Sequence, residues 1–103
     1  MKNKNSFKAK VFNALSDPVR LEILEFLHDG EKCVCEIVPH LQIAQPLVSR
    51  HLRILKECGL VKHRKDGNRR LYSVTSPVIF KIIDSVTINL MDTLSKHIIE
   101  QIA

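Results

Sequence analysis

Along most of this chain apolar residues recur at helical spacing, and they give way to a strand-like pattern in one stretch. Between Phe7 and Leu15, Val11, Phe12 and Leu15 fall near one helical face. The run stops at Ser16-Asp17-Pro18, where a Ser or Asp cap with Pro in the first turn starts a second helix. From Val19 the set Leu21, Ile23, Leu24, Phe26 and Leu27 keeps the period until His28-Asp29-Gly30, whose glycine suits a left-handed helix end. Ile37, Val38 and Leu41 mark the buried side of a short third helix. Proline lacks the N–H that a helix interior uses, so Pro39 predicts a start near Cys35 or Glu36, with Cys33 and Cys35 at the N-terminal end. Pro46 opens a further helical run in which Val48, Leu52, Leu55 and Gly59 share one side. Pro46, Arg50, Arg53 and Glu57 share the other, flanked by Leu47 and Ser49, and the run ends at Cys58-Gly59. A short helix, a tight turn and a second helix with a cationic outer face form a helix-turn-helix pattern.

Beyond it, residues 60–65 and 68–74 flank Asp66-Gly67 as the two strands of a β-hairpin with a basic tip, which must rest on the helices because a lone hairpin is marginal in water. Residues 77–102 hold an apolar set from Val78 to Ile102 with no internal Gly or Pro and predict one long helix. Its apolar positions exceed one face, and the preceding residues offer too little surface to cover them, so a second chain is expected to do so. The predicted fold is mainly α with a small β-hairpin: a winged helix-turn-helix, homodimeric through its N- and C-terminal helices.

Composition narrows the function. A chain of 103 residues, 45% hydrophobic and 26% charged, fits one globular domain over 1–103 and excludes a disordered or fibrous class. No apolar run is long enough to span a membrane and the N-terminal stretch lacks a leader pattern, so a cytoplasmic protein without a membrane partner is expected. A net charge of +5 favours a polyanionic partner. Cys33, Cys35 and Cys58 are an odd set, and the close spacing of the first two points to metal or redox chemistry rather than a disulfide framework. Catalysis is not expected. There are only three glycines and no phosphate loop, and His28, His40, His51, His63 and His97 lack catalytic-metal spacing. A protein-interaction module built on the same scaffold is the rival class.

Residues 15–24 (Leu-Ser-Asp-Pro-Val-Arg-Leu-Glu-Ile-Leu), Lys32-Cys33-Val34-Cys35-Glu36-Ile37, residues 45–55 (Gln-Pro-Leu-Val-Ser-Arg-His-Leu-Arg-Ile-Leu) and Gly59-Leu60-Val61 resemble the ArsR/SmtB family of metal-responsive repressors, over roughly residues 8 to 75. The resemblance implies a homodimer that represses an operon and leaves its double-stranded DNA operator when an inducer binds. A major groove about 12 Å wide admits one helix. Gln45, Ser49, Arg50 and Arg53 are the candidate base readers, Leu47 a candidate thymine-methyl contact, and Pro46 and His51 lie with them, His51 serving bases or phosphates. Lys65, Arg69 and Arg70 at the hairpin tip are placed for phosphate or minor-groove contact. Ala44 stands where the family often has a capping Ser.

The Cys33-Val34-Cys35 core matches the family's arsenic- and cadmium/lead-type site, and thiolates suit As(III), Sb(III), Cd(II) or Pb(II) as inducer, with no resident cofactor required. A helix N-terminus favours thiolate over thiol. Residues two apart lie about 200° apart on a regular helix, so one ion held by both is expected to distort the first turn. Val38 stands where some arsenic sensors have a third cysteine, and the N-terminal arm has no cysteine to complete a cadmium-type site. Cys58, His40 or water are the alternatives, and oxidation of the pair is the rival trigger. The family's second site, for Zn(II) on the C-terminal helix, has Ser76, Val78, Asn89 and Asp92 at its usual positions. Asp84, His97 and Glu100 keep only part of its spacing and read as solvent-facing.

Overall fold

The computed structural model describes residues 3–102. Among the described residues six helices and three strands follow one another: α1 (Lys4–Ala14), α2 (Pro18–Phe26), β1 (Lys32–Cys33), α3 (Val34–Leu41), α4 (Gln45–Glu57), β2 (Val61–Asp66), β3 (Arg69–Val74), α5 (Val78–Asp84) and α6 (Ile88–Ile102). Asp17 caps α2, its Oδ1 accepting from the Val19 and Arg20 N–H groups at 2.8 and 3.2 Å, with Pro18 in the first turn. α3 begins at Val34, slightly earlier than Pro39 alone predicts. A reciprocal cap sets this start: the Cys33 N–H donates to Glu36 Oε1 at 3.0 Å, and the Cys35 N–H to Cys33 Sγ at 3.0 Å. Pro39 is therefore held inside a helix of 8 residues. α3 ends at Gln42, whose backbone is left-handed (φ 57°), and the chain turns directly into α4.

The core forms where α2, α3 and α4 meet. Ile23 and Leu24, Ile37, and Val48, Leu52 and Leu55 are all fully buried, and Leu60, Val61, Tyr72 and Ile79 close around them. The stripe of α4 that helical spacing turned inward is thus the one that packs. The end of α4 is fixed by Gly59 (φ 79°): the Leu60 N–H reaches the Leu55 carbonyl at 3.0 Å and the Gly59 N–H that of Lys56 at 2.9 Å, a pairing that directs the chain into β2.

The expected hairpin is part of a larger sheet. Its strands pair antiparallel from Val61↔Val74 to Asp66↔Arg69 across Gly67-Asn68, and β1 adds a third strand on the other edge of β3, Lys32 opposite Tyr72 and Cys33 opposite Leu71. The expected single helix over 77–102 is also corrected: α5 and α6 are separated at Ser85-Val86-Thr87. The Ser85 hydroxyl donates to the Ile82 carbonyl at 2.6 Å, closing α5. Thr87 Oγ1 accepts from the Leu90 N–H at 3.2 Å, opening α6. Hydroxyl side chains that compete for backbone groups end a helix without Gly or Pro. No residue of α6 is buried.

Candidate nucleic-acid interface

One face of α4 carries Gln45, Pro46, Leu47, Ser49, Arg50 and Arg53, all exposed, opposite the buried Val48, Leu52 and Leu55. The helix starts at Ala44, whose backbone is in cap conformation but whose side chain offers no acceptor. Beside it, the wing brings Arg69 and Arg70 to the rim of a groove of about 950 Å³ between α3, α4 and the hairpin. Gln45, Pro46, Ser49, Arg50 and Arg53 line this groove from α4, and so do side chains not singled out from the sequence, among them Lys56 on α4 and Asn68 in the wing turn. Lys56 lies one turn beyond Arg53, so the helical period already carried it. Asn68 became visible only once the wing was folded against α4. Lys65 sits on β2 opposite Arg70, exposed at the outer end of the wing.

Several of these charges are partly engaged. Arg53 Nε lies 3.9 Å from Glu57, and Arg69 Nη2 2.9 Å from Asp66. Arg64 on β2 binds Glu31 with both its Nε and Nη2, tying the wing to the segment before β1 and holding the Glu31 carboxyl below its ordinary range. Partial desolvation, with Lys56 and Arg70 nearby, holds the His63 imidazole below its ordinary value, against its carrying charge in the wing.

His51 does not join the outer face. Its side chain is 16% exposed and turns toward α2, with Nδ1 3.2 Å from Arg20 Nη1 and 4.0 Å from Asp17 Oδ1. Unlike its neighbours Arg50 and Arg53, it turns its Nδ1 to the scaffold and not to the groove.

Cys33 and Cys35 line the same groove. They are joined as a disulfide, Cα atoms 5.0 Å apart, in contrast to the expected free thiols. Cys33 is buried and Cys35 exposed. The expectation that both cysteines lie on the regular helix, so that a shared ion must distort its first turn, loses its premise. Cys33 is the cap, not a helical residue (φ −72°, ψ 148°), so its side chain folds back over the first turn and the two sulfurs meet while the helix stays intact. Cys33 thus belongs to two elements, capping α3 and pairing through β1 with the wing strand β3. Among the described residues no group of three or more Cys, His, Asp or Glu is placed to hold a metal. Cys58 is unbonded at the far end of α4, and His97 pairs with Glu100 at 3.8 Å on exposed α6.

A helix presented over a turned core, a basic β-wing beside it and a groove between them define a winged helix-turn-helix DNA-binding transcription regulator. The family model for bacterial regulatory proteins of the arsR family matches residues 17–63. The chain is 44% identical over 75 residues to a probable mercury resistance operon repressor of Streptomyces lividans, spanning 73% of this chain and 60% of that protein. It is 40% identical over 78 residues to an arsenical resistance operon repressor of Staphylococcus aureus, spanning 76% and 75%. Its fold matches the solution structure of a homodimeric winged helix-turn-helix DNA-binding domain from Mycobacterium bovis (TM-score 0.70, 27% identity, 93% of this chain and 84% of that one). The chain belongs to the arsR family, and these two relatives are operon repressors, DNA-binding regulators and not enzymes. Among the described residues no helix is long and apolar enough to cross a membrane.

Proposed function

We propose that this protein is a homodimeric operator-binding repressor, that the outer face of α4 reads the major groove while Lys65, Arg69 and Arg70 hold the flanking backbone, and that a thiophilic metal or metalloid taken by Cys33 and Cys35 releases the DNA. The observation that carries this reading is the shared groove: the sulfur pair, the exposed α4 side chains and the wing arginines line one space. Gln45 and the arginines are the side chains that pair bidentately with adenine and guanine edges. Two sulfurs, one of them exposed, suit soft ions such as As(III), Sb(III), Cd(II) or Pb(II). The arsenical and mercury resistance repressors among its relatives favour that class and add Hg(II). Ligation requires the thiolates, so the disulfide is the state that cannot take the ion. A ligand at Cys33 acts at once on the cap of α3, which leads into α4, and on the pairing of β1 with the wing. A two-state response of this corner is the route from inducer to DNA release.

A second trigger has the disulfide itself in its favour. Hydrogen peroxide would take two electrons and two protons from the thiol pair, forming the S–S bond and two waters.

One binding experiment tests both. Anisotropy with the promoter fragment of its own gene should show tight binding by wild type, and loss of at least about tenfold in Arg50→Ala/Arg53→Ala. Under thiol reductant, As(III) or Hg(II) should release the DNA from wild type and not from Cys33→Ser/Cys35→Ser. Release by peroxide alone, with metal ineffective on the reduced protein, would establish the oxidative trigger instead.

A further inference from the structure

α1, α2 and α4 meet at a polar junction that neither the groove nor the sulfur pair uses. Arg20, partly buried in the first turn of α2, donates from Nε to the Ala14 carbonyl at 2.6 Å and from Nη2 to the Asn13 carbonyl at 3.3 Å. These are the last carbonyls of α1, where a helix end attracts a cation. The remaining arm of the same guanidinium places Nη1 3.2 Å from His51 Nδ1 on α4. Arginine has donors only, so this contact is a hydrogen bond in the tautomer whose Nδ1 accepts. Asp17, the cap of α2, completes the junction 4.0 Å from the same ring nitrogen.

The position of His51 gives the contact its meaning. It lies between Arg50, exposed on the reading face, and Leu52, fully buried. The apolar stripe of α4 resists its leaving the core, but the hydrophobic effect is non-directional and does not by itself select the fine rotation about the helix axis. A hydrogen bond with a directional donor restrains that rotation, and reading a base edge depends on it, because bidentate pairing tolerates little angular error.

We propose that Arg20 is a positioning residue for DNA reading: through His51 it fixes the rotation of α4 against α1 and α2, and so sets the direction of Arg50 and Arg53. This rests on the reading of α4 as the DNA-contacting helix. His51→Leu keeps bulk without an acceptor, whereas His51→Asn offers an amide oxygen near the place of Nδ1. Both variants retain Arg20 and its bonds to α1. Anisotropy with the promoter fragment should show binding weakened about tenfold or more in His51→Leu and within about threefold of wild type in His51→Asn. The slope of log affinity against log salt should be unchanged in both, since no phosphate contact is removed. Adding Arg20→Ala should abolish the difference between the two, with folding of each variant confirmed by its thermal transition. Equal affinities of the Asn and Leu variants, or a slope reduced by about one in His51→Leu, would overturn the proposal; the latter would make His51 a phosphate contact. Failure of wild type to bind the fragment at all would overturn the DNA-reading assignment and this inference with it.

Discussion

Ala44 shows how much one side chain decides at a helix start. Its backbone (φ −60°, ψ 139°) already has the shape of a cap, yet it supplies no oxygen for the N–H groups of the first turn of α4. Ala44→Ser adds that oxygen without new burial and should stabilise the fold by about 1 kcal/mol, read as a raised urea midpoint at constant slope. Asp17 shows the reverse case. Burial pushes its carboxyl up, but the Arg20 and Val19 N–H groups, with His51 and Arg20 nearby, leave it below its ordinary value of 3.8. A carboxyl lowered in the folded state contributes stability that is complete at neutral pH and is lost as pH falls through that folded value. Asp17→Asn keeps a capping oxygen but does not ionise. The fall in urea midpoint from about pH 5 to 2 should therefore be shallower than in wild type. At this scale the sequence showed which α4 side chains are buried and which exposed, because period alone sorts them. The contact His51 makes is not legible there, since a histidine among arginines on a cationic helix looks like a phosphate ligand. The partner that claims it, Arg20, lies 31 positions away and no local pattern links the two.

At the scale of elements, the wing combines recognition with self-neutralisation. Asp66 faces Arg69 at 2.9 Å across the turn and puts a negative charge beside the residues expected to meet phosphate. Arg70 has no such partner among the ion pairs of the described residues. Arg70→Ala should therefore weaken binding to all DNA sequences alike and reduce the salt slope by about one, while Asp66→Asn should tighten binding, most visibly at low salt. Both follow from one salt titration of affinity for operator and unrelated DNA. The two β-strands of the wing were legible from turn chemistry, but β1 was not: two residues are too short for alternation to register, and only pairing with β3 makes them a strand. That omission hid the second attachment of Cys33. The break before α6 is not legible from Gly and Pro, the usual signals of a helix end, because Ser85 and Thr87 end one helix and cap the next.

For the whole molecule, the decisive fact is a helix, α6, without a single buried side chain. In α6, Met91, Leu94, Ile98 and Ile102 form one stripe flanked by Ile88 and Ile99, and these side chains are exposed to between 46% and 81%. Phe7 and Phe12 on α1 are exposed as well. A helix of 15 residues without a buried side chain is marginal in water, so the helicity of α6 requires an apolar surface that this single chain does not give it. A second copy offers the same stripe, and burying each Leu or Ile contributes about 1.5–3 kcal/mol, enough over several positions on both chains to outweigh the entropy of association. In the proposed dimer, pairing would also serve recognition, because two α4 helices reach successive major grooves only when held about 34 Å apart. Three changes are therefore expected together in Leu94→Glu/Ile98→Glu: a monomer by sedimentation at micromolar concentration, reduced far-ultraviolet helicity, and loss of tight operator binding. The melting temperature of wild type should rise with protein concentration, and that of the variant should not. A variant that sediments as a monomer but keeps full helicity would show that α6 is held by its own chain. Loss of DNA binding would then have to be traced to α4 and the wing instead of to pairing.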